Sequence, residues 1–241
     1  MAAEPNILTS GLLDRVESVR RSIFRLAIVL LLGTLVAYPF AGWLLHIVKQ
    51  PLDGKLVIYA PMEGFLGYIT VSIAAGFLLL LPFLLYEVKR ILQYVCSLPP
   101  AVAVGGTVAA GGLFFGGVVF CYLGILPVTL RFLLSFGGEN ITAGISVSRY
   151  LSLTIGLSAA CGAMFELPLV VLILHRLGLI SIAFLTQNRR YAIVIAAVIT
   201  AIVTPTPDAF TMSMLLVPLL ALYEVSILLM RIAERRASRR V

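Results

Sequence analysis

Charge is what this sequence has least of. Only 12% of its 241 residues are Asp, Glu, Lys or Arg, about half the share found in a soluble domain. Hydrophobic residues make up 61% and the mean hydropathy is +1.07. A chain of this composition and length is a polytopic membrane protein with no room for a soluble domain. Histidine is nearly absent, with 2 residues, and the 3 cysteines are scattered. Cys96, Cys121 and Cys161 fall in or beside apolar runs, which excludes a disulfide framework and a metal-ligand spacing and makes them small buried hydrophobes. Also missing are a phosphate-binding glycine loop, His-Glu-x-x-His, Gly-x-Ser-x-Gly and Cys-x-x-Cys. ATP hydrolysis, metal chemistry and covalent catalysis therefore lack their parts, and neither an enzyme nor a bound cofactor is expected. The net charge of +7 is read as a topology signal on a membrane protein, not as a nucleic-acid surface. The first apolar run far exceeds a signal-peptide core, so the N-terminus is expected to be retained.

What is present is a series of apolar runs. An amphipathic segment with Leu12, Leu13, Val16 and Val19 at helical spacing suits the membrane surface, and Glu17 and Arg21 can pair on it. Six spans follow, at 23–48, 68–88, 101–130, 150–177, 191–203 and 210–230. Arg25 can snorkel at the start of the first, and Pro39 should kink its far half. The third is glycine-rich, and Gly112 and Gly116 form a small-xxx-small pair that would let another helix approach. The fifth and sixth helices are expected to be short: the 13 residues of the fifth reach about 20 Å against a hydrocarbon core of about 30 Å. Near the end of the sixth, Glu224 and Arg231 share a helical face. This gives an all-α, six-helix membrane domain over residues 1–241 with both termini on one side. Of the 18 Lys and Arg residues, 14 fall on the side of the termini, and only Lys49, Lys55, Arg131 and Arg149 fall on the other. That bias makes the termini cytoplasmic and the basic tail a partner of anionic lipid.

Near the middle of the fourth run stands Glu166, followed by Pro168. An ionised acid at a helix centre costs about 2.5–3.5 kcal/mol, so it needs a compensating partner or use. The proline withholds the amide that would bond the carbonyl of Met164. A structural acid bonded to a neighbouring helix is the plain reading, and a functional site is the sharper one. Two function classes fit: a docking and conducting subunit for another polypeptide, or a proton-coupled small-solute carrier using Glu166. Inverted repeats would favour the carrier, and residues 1–120 do not resemble 121–241.

A set of motifs runs in order along almost the whole chain: the Leu13-to-Arg21 entry, Pro51 with Pro61-Met62-Glu63-Gly64-Phe65, Leu81-Pro82 with Tyr86-Glu87-Val88, and Tyr122 before Pro127. Phe165-Glu166-Leu167-Pro168, Arg190-Tyr191, the Thr204-to-Asp208 turn and Pro218 with Tyr223-Glu224 complete the set. In this order and spacing it resembles the TatC family of twin-arginine protein translocases. The resemblance implies a six-helix, cup-shaped receptor core of a bacterial-type inner membrane. It would bind the twin-arginine signal peptides of folded cargo and recruit small single-span partners into a hetero-oligomer driven by the proton-motive force.

The resemblance also implies residue roles. Glu17 matches the acid on the family's N-terminal helix, so Glu17 and Arg21 belong to the peptide site. Glu166 and Pro168 form an intramembrane docking or proton site, while Pro51, Glu63, Phe65, Asp208 and Glu224 mark functional turns and helix ends. The chain departs from the family in two places. The first cytoplasmic loop reads Ser97-Leu98-Pro99-Pro100 without the family's second acid, so Glu87 is expected to stand in for it. Met212 occupies a sixth-span position where the family often has an amide. These departures leave open a paralogue with altered peptide recognition.

Overall fold

The computed structural model describes residue 20 and residues 24–52, 56–96, 100–135, 145–204 and 209–238. Glu17, Arg21 and Asp208 lie outside the described residues, and of residues 87–96 and 100–103, Glu87 among them, the backbone alone is described.

Helix α1 spans Phe24–Lys49 and carries a single tight turn at Tyr38–Phe40. Pro39 causes it: the ring removes an amide from the ladder, and the helix tightens locally instead of breaking. Strand β1 (Leu56–Val57) follows, then α2 (Pro61–Cys96) and α3 (Pro100–Phe120). A wide π turn at Cys121–Ile125 leads from α3 directly into α4 (Leu126–Ser135). The wide turn comes just ahead of Pro127, whose missing N–H and bulky ring disturb the preceding turn. Strand β2 (Ile145–Ser146) opens the second half, with α5 (Val147–Phe165), α6 (Leu167–Arg176), α7 (Ile182–Gln187), α8 (Arg189–Val203) and α9 (Ala209–Ser238). The two strands pair in parallel, Leu56 with Ile145 and Val57 with Ser146.

Among the described residues, five helical segments are long and apolar enough to cross a membrane: Phe24–Lys49, Pro61–Tyr86, Val104–Ser135, Val147–Arg176 and Ala209–Arg235. The chain is a polytopic helical membrane protein. The predicted fifth span falls in α8, whose 15 residues reach about 22 Å, short of the hydrocarbon thickness.

Several helix limits differ from those the apolar runs predict. α2 begins at Pro61, so the Pro-Met-Glu-Gly-Phe stretch is its first turn and not a loop, and it runs on to Cys96. Proline opens α2 and α3 because the first helical position needs no amide donor. The fourth run, predicted as one continuous span over 150–177, is two helices joined at Glu166. α9 is not the short helix expected of the sixth span: it has 30 residues and continues to Ser238. The Glu and Arg residues after 230 are good helix formers that carry the helix on past the apolar run.

Apolar side chains face outward freely, as bilayer contact requires: Ile202 is 78% exposed, Leu123 69% and Trp43 66%. Inside, the described residues form two hydrophobic clusters. One joins Cys121, Leu126, Tyr150, Leu151, Leu157, Cys161 and Leu215. The other joins Val171, Leu185, Ile227 and Met230. Cys121 and Cys161 are isolated by spacing, yet both are fully buried in the first cluster.

Helices cross where glycine permits. A Cβ on Gly76 of α2 would lie 2.7 Å from the Thr34 backbone nitrogen of α1. A Cβ on Gly117 of α3 would lie 2.6 Å from the Cys161 carbonyl of α5. The expected Gly112–Gly116 pair is not a contact, since a Cβ at either position would meet nothing within 4 Å. Many glycines share that helix, and only the neighbouring backbone decides which of them is needed.

Candidate functional site: the intramembrane acid and the two ends of the bundle

At one end of the bundle the start of α2, the start of α5 and the end of α1 meet. Glu63 sits in the first turn of α2 and is 9% exposed, not the open interfacial acid that its flanking proline and glycine suggest. One carboxylate oxygen accepts the Tyr59 N–H at 2.8 Å. The other accepts the Ser148 N–H at 3.1 Å and the Ser146 hydroxyl. Ser146 is itself the N-cap of α5, accepting from the Arg149 N–H. One acid thus satisfies amides at two helix starts, where carboxylates also complement the helix dipole. It sits beside the paired strands as well. Phe65 is half exposed in the next turn of α2, and Pro51 lies in the turn that leaves α1.

The last carbonyls of α1 are held by two tyrosines from other helices. The Tyr122 hydroxyl donates to the Ile47 carbonyl at 2.5 Å, and the Tyr150 hydroxyl to the Val48 carbonyl at 2.6 Å. The last carbonyls of a helix lack full intrahelical pairing. That of Ile47 also takes the Gln50 N–H at 3.0 Å, and the two tyrosines complete the capping of this end. Tyr150→Phe is expected to cost about 0.5–1.5 kcal/mol and to speed amide exchange around Leu52. Thermal unfolding with peptide-resolved hydrogen exchange reads both effects.

At the opposite end, Glu224 of α9 pairs with Arg189 at the start of α8 at 3.0 Å, not with the Arg231 that shares its helical face. A partner 35 residues away leaves no local sequence signal. Both side chains are about half exposed, so the pair contributes about 0–1 kcal/mol. Glu224→Gln should therefore leave the melting temperature nearly unchanged, and a larger drop would reveal a structural role. Close by, Nε2 of His175 lies 3.3 Å from the Glu234 carboxylate while Nδ1 bonds the Ile180 carbonyl at 2.9 Å. The Tyr223 hydroxyl donates to the Leu185 carbonyl at 2.8 Å. Arg190 lies over the Tyr191 ring at 5.0 Å. These contacts fasten the ends of α6, α7, α8 and α9 to one another.

Between the two ends sits Glu166. It ends α5 and begins α6 with φ −72° and ψ −13°. Its N–H bonds the Ala163 carbonyl at 3.2 Å, and its own carbonyl accepts from Leu169 and Val170 at 3.0 Å. Pro168 is buried and stands in the first turn of α6, where its missing amide leaves nothing unpaired. The ladder is thus interrupted at the acid itself, ahead of the proline. The Glu166 side chain is partly buried, and no hydrogen bond or ion pair reaches its carboxyl from the described residues. Beside the break the Phe165 ring lies 5.5 Å from that of Phe120, and both line a small gap shared with Pro218 and Leu222. The proline of the last span therefore stands at the same level as the break in the fourth.

An apolar groove of about 380 Å³ runs along α8 and α9 from this level. Leu167, Val171, Ile195, Leu219 and Tyr223 line it, together with Asn188 and Tyr191. Among the described residues no group of three His, Cys, Asp or Glu could hold a metal.

A family model described as "Sec-independent protein translocase protein (TatC)" matches residues 14–218. That match takes in every element from α1 to the Pro218 level of α9. The chain belongs to the TatC family. Among the curated relatives, the TatC protein of Aquifex aeolicus is 33% identical over 233 residues, covering 93% of this chain and 96% of its own. That of Carboxydothermus hydrogenoformans is 31% identical over 228 residues, covering 90% of each. A crystal structure of the twin-arginine translocase receptor TatC superposes with a TM-score of 0.78 at 33% identity, over 89% of this chain and 98% of that one. A Tat-type protein translocase role follows from membership. The TatC-like motifs sit where the structure does most with them: Glu63 between two helix starts, Tyr122 on the end of α1, and Glu166 at the break.

Proposed function

We propose that the chain is the receptor and core component of a twin-arginine translocase in a bacterial-type inner membrane, with both termini cytoplasmic. It would bind twin-arginine signal peptides of folded cargo and recruit single-span partners for proton-motive-force-driven export. The observation that carries this reading is Glu166. Its carboxyl meets no partner among the described residues, and it stands at mid-span, at a helix break and beside an apolar groove of helix-binding character. A single-span helix bearing one polar group would satisfy the acid and bury the groove. For the peptide, Glu17, Arg21 and Glu87 supply the cytoplasmic site, because paired guanidiniums favour bidentate carboxylates.

Peptide binding to the purified chain tests the assignment. An Arg-Arg signal peptide should bind more tightly than a Lys-Lys peptide. Glu87→Gln should weaken it by about 1.5–3 kcal/mol, the size of a hydrogen bond to a charged group. Equal affinity for both peptides would favour a paralogue that reads another signal. The proton-coupled carrier reading rests on the same acid, and it requires solute uptake by this chain alone in liposomes.

A further inference from the structure

We propose that the groove among the starts of α2 and α5 and the end of α4 is a binding site for one anionic glycerophospholipid, with its phosphate on Arg149 and its acyl chains against Leu66, Leu130, Leu134 and Leu153. The groove measures about 910 Å³. That is near the upper limit for small-ligand pockets, about 300–1,000 Å³. Its lining is mixed in chemistry. Leucines from three helices line it, Arg149 is exposed at its edge, and Ser146 and Glu63 add polar groups.

Of the two charged residues that line it, Glu63 is turned inward and already holds two N–H groups and a hydroxyl. Arg149 is exposed, and its guanidinium meets no partner among the described residues. Among those residues, the edge therefore presents one uncommitted cation. Leu153 stands one helical turn beyond Arg149, about 6 Å deeper at 1.5 Å per residue. A ligand that meets the guanidinium at the edge and the leucines below must be an amphiphile with an anionic head. Phosphate suits it best, because a guanidinium fork binds phosphate oxygens in pairs.

Any membrane protein is wetted by lipid, and loosely held lipid exchanges during extraction. A headgroup contact combined with walls on three helices predicts retention instead. Native mass spectrometry of the full chain, extracted in mild detergent and reconstituted with phosphatidylglycerol or phosphatidylcholine, reads this directly. One phosphatidylglycerol per chain should survive extraction, in preference to phosphatidylcholine. Arg149→Gln should lower its occupancy roughly tenfold and Arg149→Lys by less, while Arg176→Gln, at the far end, leaves it unchanged. Leu66→Trp should lower retention of either lipid by filling the groove. Undiminished retention in Arg149→Gln, or equal retention of both lipids, would overturn the proposal. Inorganic phosphate bound at the same occupancy in lipid-free detergent would replace it with a soluble-anion site.

Discussion

Glu166→Ala is expected to stop transport while leaving the protein folded, inserted and able to bind signal peptide. Hydrogen bonds between membrane helices contribute about 1–2 kcal/mol, so the affinity for a single-span partner should fall roughly five- to thirtyfold. Removing a carboxyl from hydrocarbon relieves a cost of about 2.5–3.5 kcal/mol if it is ionised. The variant should therefore melt no lower than the wild type, a loss of function without loss of stability. Glu166→Gln, which can still hydrogen-bond, should retain much of the docking. Site-specific crosslinking to the partner helix in membranes, run beside an export assay and thermal unfolding, separates these outcomes. Loss of peptide binding in a normally inserted variant would remove the docking assignment.

Two alanine substitutions in one helix should move stability in opposite directions. At Gly117 the new methyl would sit 2.6 Å from the Cys161 backbone carbonyl, and no side-chain rotation relieves a backbone contact. Gly117→Ala should cost about 1–3 kcal/mol, the usual penalty for overpacking. At Gly112 nothing lies within 4 Å, and alanine favours a helix over glycine by about 0.8–1.0 kcal/mol, so Gly112→Ala should be neutral or stabilising. Melting temperatures in detergent distinguish the pair. Equal effects at both sites would mean that α3 and α5 do not cross at Gly117.

The contrast shows what the sequence makes legible. Apolar runs and scarce charge are enough for a membrane-spanning helical chain, because hydrocarbon allows few alternatives. The acid in the fourth run is legible for the same reason, as its cost is local. Contacts across long separations are not. Gly117 and Gly112 look alike in one dimension, and only α5 tells them apart. Arg189 as the partner of Glu224, and Tyr150 on the end of α1, depend on the arrangement of helices far apart in the chain. The break at Glu166 is half visible: Pro168 announces a disturbance, but its place is set by which residue can close one helix and open the next. The start of α2 at Pro61 is hidden because proline and glycine around Glu63 resemble a turn, although proline is equally at home in the first position of a helix.

The division of the interior into two hydrophobic clusters has a consequence for how the molecule comes apart. The clusters share no residue, and along the fourth span Glu166 stands between Cys161 of one and Val171 of the other. Cooperativity passes through packed side chains, and units packed separately open separately. Amide protons around Val171, Leu185 and Ile227 should therefore exchange as one group, and those around Leu126, Leu151 and Leu157 as another. The half fastened by His175, Arg189 and Tyr223 should open first, since among the described residues its cluster has fewer members. Gradual denaturation would then show a state that has already released the ends of α6 to α9 while Glu63 still joins two helices at the other end.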